Sequence, residues 1–323
     1  MWTALVLGLV VVGGVAAYGA WAAYAVARGA SVLPFVIGLP LAYLAVPFAF
    51  TCLWFTLAWL FRAQRPDDIR LTPGARLRLF VNEFLALATS APRMIGYRFL
   101  MPDPDPAPAE LPVVLVHGVG CNAGIWFPFR RYLERRDIGP VYALSYGPPL
   151  ASIELFADQL AMKIDAVREA TGSVQVVLVA HSMGGLVSRA YLRRFGGAIV
   201  RRLITIGSPH QGSKHAYLMA GRGLAEMRPG NPWLTELNRD GESTTYGVPV
   251  ISLWSWHDSM VTPQTSSMLE GAENIVLTGI GHNALLNDVD VFARVTSEID
   301  CARRSRPTSE FPASVARMPS ARA

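Results

Sequence analysis

Hydrophobic and polar positions follow three patterns along this chain. From Met1 to Ala27 and again from Gly29 to Phe61 there is no charged residue, and only Arg28 separates the two runs. Each run exceeds the roughly 20 apolar residues that cross a bilayer, so together they predict a transmembrane helical hairpin over 1–61. Gly8, Gly14, Gly19 and Ala23 offer small faces for helix contact, while Pro34, Pro40 and Pro47 predict a kinked or late-starting second helix. A cleaved signal peptide is the rival reading of the first run, which lacks a basic leading region and is long for the apolar part of such a signal. At Thr72-Pro73 the pattern changes to that of a capped amphipathic helix, with Leu77, Phe80, Val81, Phe84, Leu85 and Ala88 on one face and arginines beside it. Two seats suit that face, the membrane surface and the core of the domain that follows. The Pro-rich stretch 101–108 reads as a stiff linker, so 62–110 is expected to be a juxtamembrane segment.

From 111 to 301 short apolar runs alternate with amphipathic stretches. Strands are predicted near 112–117, 140–145, 174–180, 200–206, 248–254 and 273–278, and helices near 124–136, 152–171, 183–195 and 284–301. Such alternation specifies an α/β fold, a mostly parallel sheet with right-handed crossovers and helices on both faces. Between Pro209 and Tyr246, Leu218, Met219, Leu224, Met227, Trp233, Leu234 and Leu237 are interrupted by glycines and prolines. This predicts a lid at about 209–246, either a mobile gate or a fixed cover. The Arg-, Ser- and Pro-rich end, 302–323, is expected to be disordered.

Candidate chemistry lies where apolar runs break. The run from Val176 to Ala180 stops at His181-Ser182-Met183-Gly184-Gly185, with small residues two before and two after Ser182. Asp258 follows the run 248–254, His282 follows the run 274–278 in a glycine-rich turn, and His117-Gly118-Val119-Gly120 follows the run 112–116. A serine hydroxyl is a weak nucleophile until an imidazole takes its proton, and the imidazole needs a carboxylate to fix its tautomer.

With Ile206-Gly207-Ser208-Pro209-His210-Gln211-Gly212-Ser213, these pieces make residues 111–300 resemble the bacterial lipases and esterases of the α/β-hydrolase superfamily. The resemblance implies a nucleophile elbow at Ser182, with Asp258 as acid and His282 as base, in the chain order of that fold. It also implies an oxyanion hole built from the backbone N–H groups of Val119 and Met183. Alanine at 180 replaces the usual glycine of the elbow. Some related lipases hold calcium partly through an aspartate two residues beyond the catalytic histidine, where this chain has Ala284. Asp288 and Asp290 read as surface charges, and neither a metal nor another cofactor is expected. His117 and His210 read as loop hydrogen-bonders and Cys121 as a packing residue.

The function these readings imply is a membrane-anchored serine hydrolase that cleaves carboxylic esters, lipid acyl esters above all, through an acyl-enzyme on Ser182. An acyltransferase or thioesterase would use the same triad, and a catalytically inactive membrane scaffold is the third reading. Only Lys163 and Lys214 are lysines, so 27 of the 29 basic residues are arginine. No nucleic-acid motif accompanies the net charge of +5, which leaves membrane apposition and compositional bias. Arg62, Arg65, Arg70, Arg76 and Arg78 follow the second apolar run, which places the hydrolase domain on the cytoplasmic side. Cys52, Cys121 and Cys301 form no disulfide framework. The expected partners are the bilayer and an acyl-ester substrate, and oligomeric state stays open.

Overall fold

The computed structural model describes residues 2–239 and 245–304. Two long apolar helices come first, α1 (Trp2–Ala27) and α2 (Leu33–Phe61), followed by α3 (Pro73–Ile95) and the short α4 (Tyr97–Leu100). Then β1 (Val113–Val116), α5 (Phe127–Glu134), β2 (Val141–Ala143), α6 (Ile153–Thr171), β3 (Val176–His181), α7 (Met183–Phe195) and β4 (Val200–Ile206) alternate. After β4 come α8 (Arg222–Glu226), α9 (Pro232–Leu237), β5 (Val250–Ser255), β6 (Glu273–Leu277) and α10 (Val289–Arg304).

The six strands form one sheet in the order β2-β1-β3-β4-β5-β6, and every adjacent pair is parallel. Strands β1 and β3 are continuous β-branched and aliphatic runs because both faces are covered. Period-two alternation sends Val114, Val116, Leu178 and Ala180 to one face with α6 and α7. Val113, Leu115, Val177 and Val179 go to the other face with α5 and α10. Helix α6 begins at Ser152, whose side chain accepts from Leu155 N–H, and ends at Gly172 in the left-handed conformation.

Two helix boundaries differ from the sequence expectation. The stretch expected as one helix from 284 to 301 is a single 3-10 turn, Ala284–Leu286, before α10 starts at Val289. Asp288 Oδ1 accepts from the N–H groups of Asp290 and Val291 and so starts the helix there. Asp288 is therefore a cap rather than a plain surface charge. Helix α10 also runs to Arg304, past the expected boundary at 302, because Ala302 is buried on the sheet and Arg303 donates to Gly139 O at 2.9 Å. Residues 305–323 of the expected disordered tail lie outside the described residues.

Helices α1 and α2 are long and apolar enough to cross a membrane. Tyr18 Oη donates to Phe35 O at 3.1 Å, which closes the hairpin, and α2 runs on through Pro40 and Pro47. The open end of the hairpin meets the α/β domain: Thr3 Oγ1 donates to Cys121 O, and the Trp54 ring lies 5.2 Å from that of His215. Helix α3 lies between the hairpin and the domain and touches both. Phe80 and Phe84 pack on Phe48 of α2, while Leu79, Glu83, Ala86 and Met94 are buried. Of the face expected to be apolar and covered, Leu77, Val81 and Leu85 remain exposed.

The described part of the 209–246 segment packs against the α6/α7 side of the domain. Leu224, Met227, Leu234 and Leu237 belong to the core on the α6/α7 face, Ile153 N–H donates to Glu226, and Arg189 donates to Leu237 O. Residues 240–244 of that segment lie outside the described residues.

Candidate active site

Parallel strands deliver their ends to one edge of the sheet, and the candidate residues stand there, just past β1, β3, β5 and β6. Ser182 occupies the turn between β3 and α7 with φ +56°, a conformation non-glycine residues rarely hold. Close packing explains the small residues around it. A side chain at Gly184 would meet the carbonyl oxygens of Val116 and His117, and one at Gly118 would bring a Cβ within 2.8 Å of the Ser182 Cβ. Ala180 is fully buried. The Gly118-Val119 loop therefore lies against Ser182, and Met183 opens α7 on its other side.

That loop is held by His117 and Tyr146. His117 Nδ1 donates to Gly118 O at 2.8 Å, its Nε2 accepts from Tyr146 N–H at 3.4 Å, and Tyr146 Oη donates to His117 O at 2.6 Å. The two rings stack with centroids 3.9 Å apart. Burial pushes the His117 pKa down to about 4, so it is a neutral brace, as the sequence reading had it. His210 likewise is a loop hydrogen-bonder, its Nε2 lying 3.1 Å from Thr205 Oγ1. Burial raises the Cys121 thiol to about 12, which fits a packing residue.

Asp258 and His282 meet behind this elbow. His282 Nδ1 donates to Asp258 Oδ2 at 2.8 Å, and both side chains are buried. The other oxygen of Asp258 accepts from the N–H groups of Met260 and Val261, each at 2.7 Å, which leaves the carboxylate one orientation. His181, the residue before Ser182, donates from Nε2 to His282 O at 3.2 Å, and the two rings lie 4.6 Å apart. Burial works to lower the His282 pKa, but the carboxylates of Asp258 and Glu83 outweigh it and set the value above that of an ordinary histidine. His257, beside Asp258, is pushed down to about 4 by burial and by the Arg65 charge, and it accepts from Gly279 N–H.

Glu83 of α3 is the residue the sequence reading missed. It is 2% exposed, and every polar partner it has is a donor. Ser259 Oγ donates at 2.6 Å, Asn283 through its N–H at 3.0 Å and its Nδ2 at 2.9 Å, and Ala284 N–H at 2.9 Å. These donors flank Asp258 on one loop and His282 on the other. Gly281 leaves the space that the Glu83 carboxyl group fills. A second tie comes from the segment after α2: Ala63 N–H donates to Gln264 Oε1, and Gln264 Nε2 donates to Asp258 O. A cavity of about 910 Å³ lies in the same region, with Phe80, Arg62, Arg65, Arg76, His257 and Asp258 among its lining residues.

A parallel sheet carrying a strained serine elbow, with a buried acid–histidine pair at the same edge, defines an α/β-hydrolase. Residues 113–271 match the family model described as "Alpha/beta hydrolase family", and the chain has the α/β-hydrolase fold. It is 42% identical over 122 residues to a triacylglycerol lipase of Pseudarthrobacter phenanthrenivorans, a match covering 34% of this chain and 36% of that protein. A triacylglycerol lipase of Burkholderia plantarii is also 42% identical over 122 residues, with 34% and 32% covered. The chain thus spans about a third of the length of these curated relatives. Among solved structures, lipase B of Aspergillus fumigatus superposes with TM-score 0.53 at 21% identity, covering 59% of this chain and 52% of that one. The mature lipase BlEst2 of Bacillus licheniformis superposes with TM-score 0.52 at 19% identity, covering 62% and 95%.

Proposed function

We propose that this protein is a membrane-anchored serine hydrolase that cleaves carboxylic esters, with lipid acyl esters as its substrate class. The observation that carries the reading is the buried Asp258–His282 pair, 2.8 Å apart, at the sheet edge where the Ser182 elbow stands. Ser182 Oγ attacks the acyl carbonyl while His282 Nε2 takes the hydroxyl proton. Charge on the resulting tetrahedral oxygen is held by the N–H groups of Val119 and Met183, each such donor being worth about 10² to 10³ in rate. Collapse expels the alcohol, which leaves with the proton from His282. Water then gives a proton to His282 and attacks the acyl-enzyme, and the free acid departs as Ser182 regains its proton. Asp258 keeps Nδ1 protonated throughout, so that Nε2 is the nitrogen free to act.

Substrate class and location rest on further support. The curated relatives are named triacylglycerol lipases, and two helices of membrane-spanning length lead the chain. The arginines after α2, several of them lining the cavity beside Asp258, favour the cytoplasmic side and an anionic surface. The test is hydrolysis of p-nitrophenyl esters of short and long acyl chains by the detergent-solubilised protein. Turnover that rises with chain length and vanishes in Ser182→Ala is expected. Full turnover in Ser182→Ala would overturn the mechanism. Serine labelling by a fluorophosphonate without turnover would redirect the reading to acyl transfer, which product analysis with added alcohol or thiol identifies.

A further inference from the structure

Helix α3 lies before residue 113, outside the part of the chain that matches the hydrolase family, and yet it supplies a carboxylate that bonds the histidine loop. Its sequence shows how unusual that group is. Glu83 is the one acidic residue in the 23 residues of α3, and it sits among apolar side chains at 2% exposure. Burying a carboxylate is costly unless it is fully hydrogen-bonded. Four donor groups meet that demand, and none belongs to α3: they are Ser259 Oγ, Asn283 N–H, Asn283 Nδ2 and Ala284 N–H. Ser259 immediately follows Asp258, and Asn283 immediately follows His282. One carboxylate therefore bridges the two loops whose relative position sets the acid–base pair.

We propose that Glu83 is a positioning residue of the hydrolytic site, a clamp from the membrane-proximal helix that fixes the Asp258 loop against the His282 loop and keeps the imidazole aimed at Ser182. The proposal rests on the serine-hydrolase reading above. It makes the catalytic unit larger than the α/β domain, because the site is complete only with α3 in place. It also gives Glu83 an electrostatic part, since its negative charge favours the protonated imidazole that forms each time Ser182 or water gives up a proton. The titratable groups around His282 are Asp258, Glu83, His181 and His215. Burial holds both of these other histidines below the ordinary histidine value, so the two carboxylates set the charge environment.

Glu83→Gln in the full-length, detergent-solubilised protein tests this. Glutamine keeps the size but sets an NH₂ against donors that a carboxylate oxygen accepted. A fall in kcat of about ten- to a hundredfold at little-changed KM is expected, the scale of a catalytic group displaced by about 1 Å. The acid limb of the kcat/KM profile is expected to move to lower pH, because the imidazolium loses a neighbouring negative charge. A brace of merely structural value would lower the yield of folded protein and leave that limb in place, and an unmoved limb overturns the proposal. If the glutamine variant does not fold, Glu83→Asp retains the charge but withdraws it by one methylene. A lowered kcat with the limb near its wild-type position is then expected, and full wild-type kcat overturns the clamp. Labelling of wild-type Ser182 by a fluorophosphonate, with Ser182→Ala as the blank, separates the two levels of the argument. An unlabelled wild type sinks the serine-hydrolase reading and, with it, any catalytic meaning for Glu83. NMR titration of His282 still reads the contact itself, with a lower imidazole pKa in Glu83→Gln expected and an unchanged one fatal.

Discussion

Ser182 is held by steric fit among the backbones of β1, β3 and α7, whereas Asp258 and His282 are held by polar bonds, several of which reach outside the α/β domain. Around the serine, backbone crowding at Gly118 and Gly184 leaves a single path for the chain. Around the base, Glu83 and Gln264 bring in α3 and the segment after α2. The two halves also shift their histidines in opposite directions: burial lowers the His117 pKa, while the carboxylates raise that of His282. A nucleophile needs a fixed position, which packing provides. A base must accept and release charge in every cycle, and that calls for electrostatic support which packing alone does not give.

On the proposed mechanism, removing either reacting group abolishes the contrast. Ser182→Ala and His282→Ala are each expected to cost about 10⁶ in kcat, measured on a p-nitrophenyl ester with the folded state checked by circular dichroism. Asp258→Asn keeps the shape but loses the charge and the correct imidazole tautomer, and a loss of about 10⁴ is expected in the same assay.

Acid separates the halves without mutation. His282 must be neutral to accept the serine proton, and its pKa lies above the ordinary value, so kcat/KM is expected to fall about tenfold per pH unit below a midpoint higher than about 6.5. A flat profile between pH 5 and 8 would remove His282 from the base role. His117 gives the opposite sign in stability. Its folded pKa of about 4 lies below the unfolded value, so its contribution is present above about pH 6.5 and lost as pH falls toward 4. That amounts to about 3 kcal/mol, read as a falling denaturant midpoint over the window and as its absence in His117→Gln. The smallest expected effect is that of Tyr146→Phe, which removes the donor to His117 O and keeps the ring stack. A loss of about 1–2 kcal/mol in stability, with at most a few-fold change in kcat, is expected.

The serine half of the site was more legible in the sequence than the base half, for the same physical reason. Backbone crowding at Ser182 is local, so it imprints small residues at fixed offsets, and the run from Val176 to Gly185 carries the signal. Strand ends likewise placed Asp258 and His282. Glu83 left no such imprint, because its partners lie 176 to 201 positions further along the chain. The available signal was compositional: one acid on a helix whose other charged residues are all basic. The same helix shows why its apolar face was only half informative. Phe80 and Phe84 of that face pack on α2, while Leu79, Glu83 and Ala86 are buried and Glu83 bonds to the domain. A single helix with two packing partners cannot be read from one hydrophobic stripe. The stretch after His282 was misread as continuous helix because Asp288 restarts the helix at a cap four residues past the turn that begins at Ala284.

Time adds a consequence to the reach of Glu83 across the chain. Helix α3 leaves the ribosome well before the loops that will satisfy its carboxylate, which follow 176 to 201 residues later. At about 5–20 residues per second, that is a wait of roughly 10 to 40 seconds. The hairpin of α1 and α2 is already made when α3 emerges, so the order of synthesis makes the hairpin the first surface on which the hydrolase is assembled.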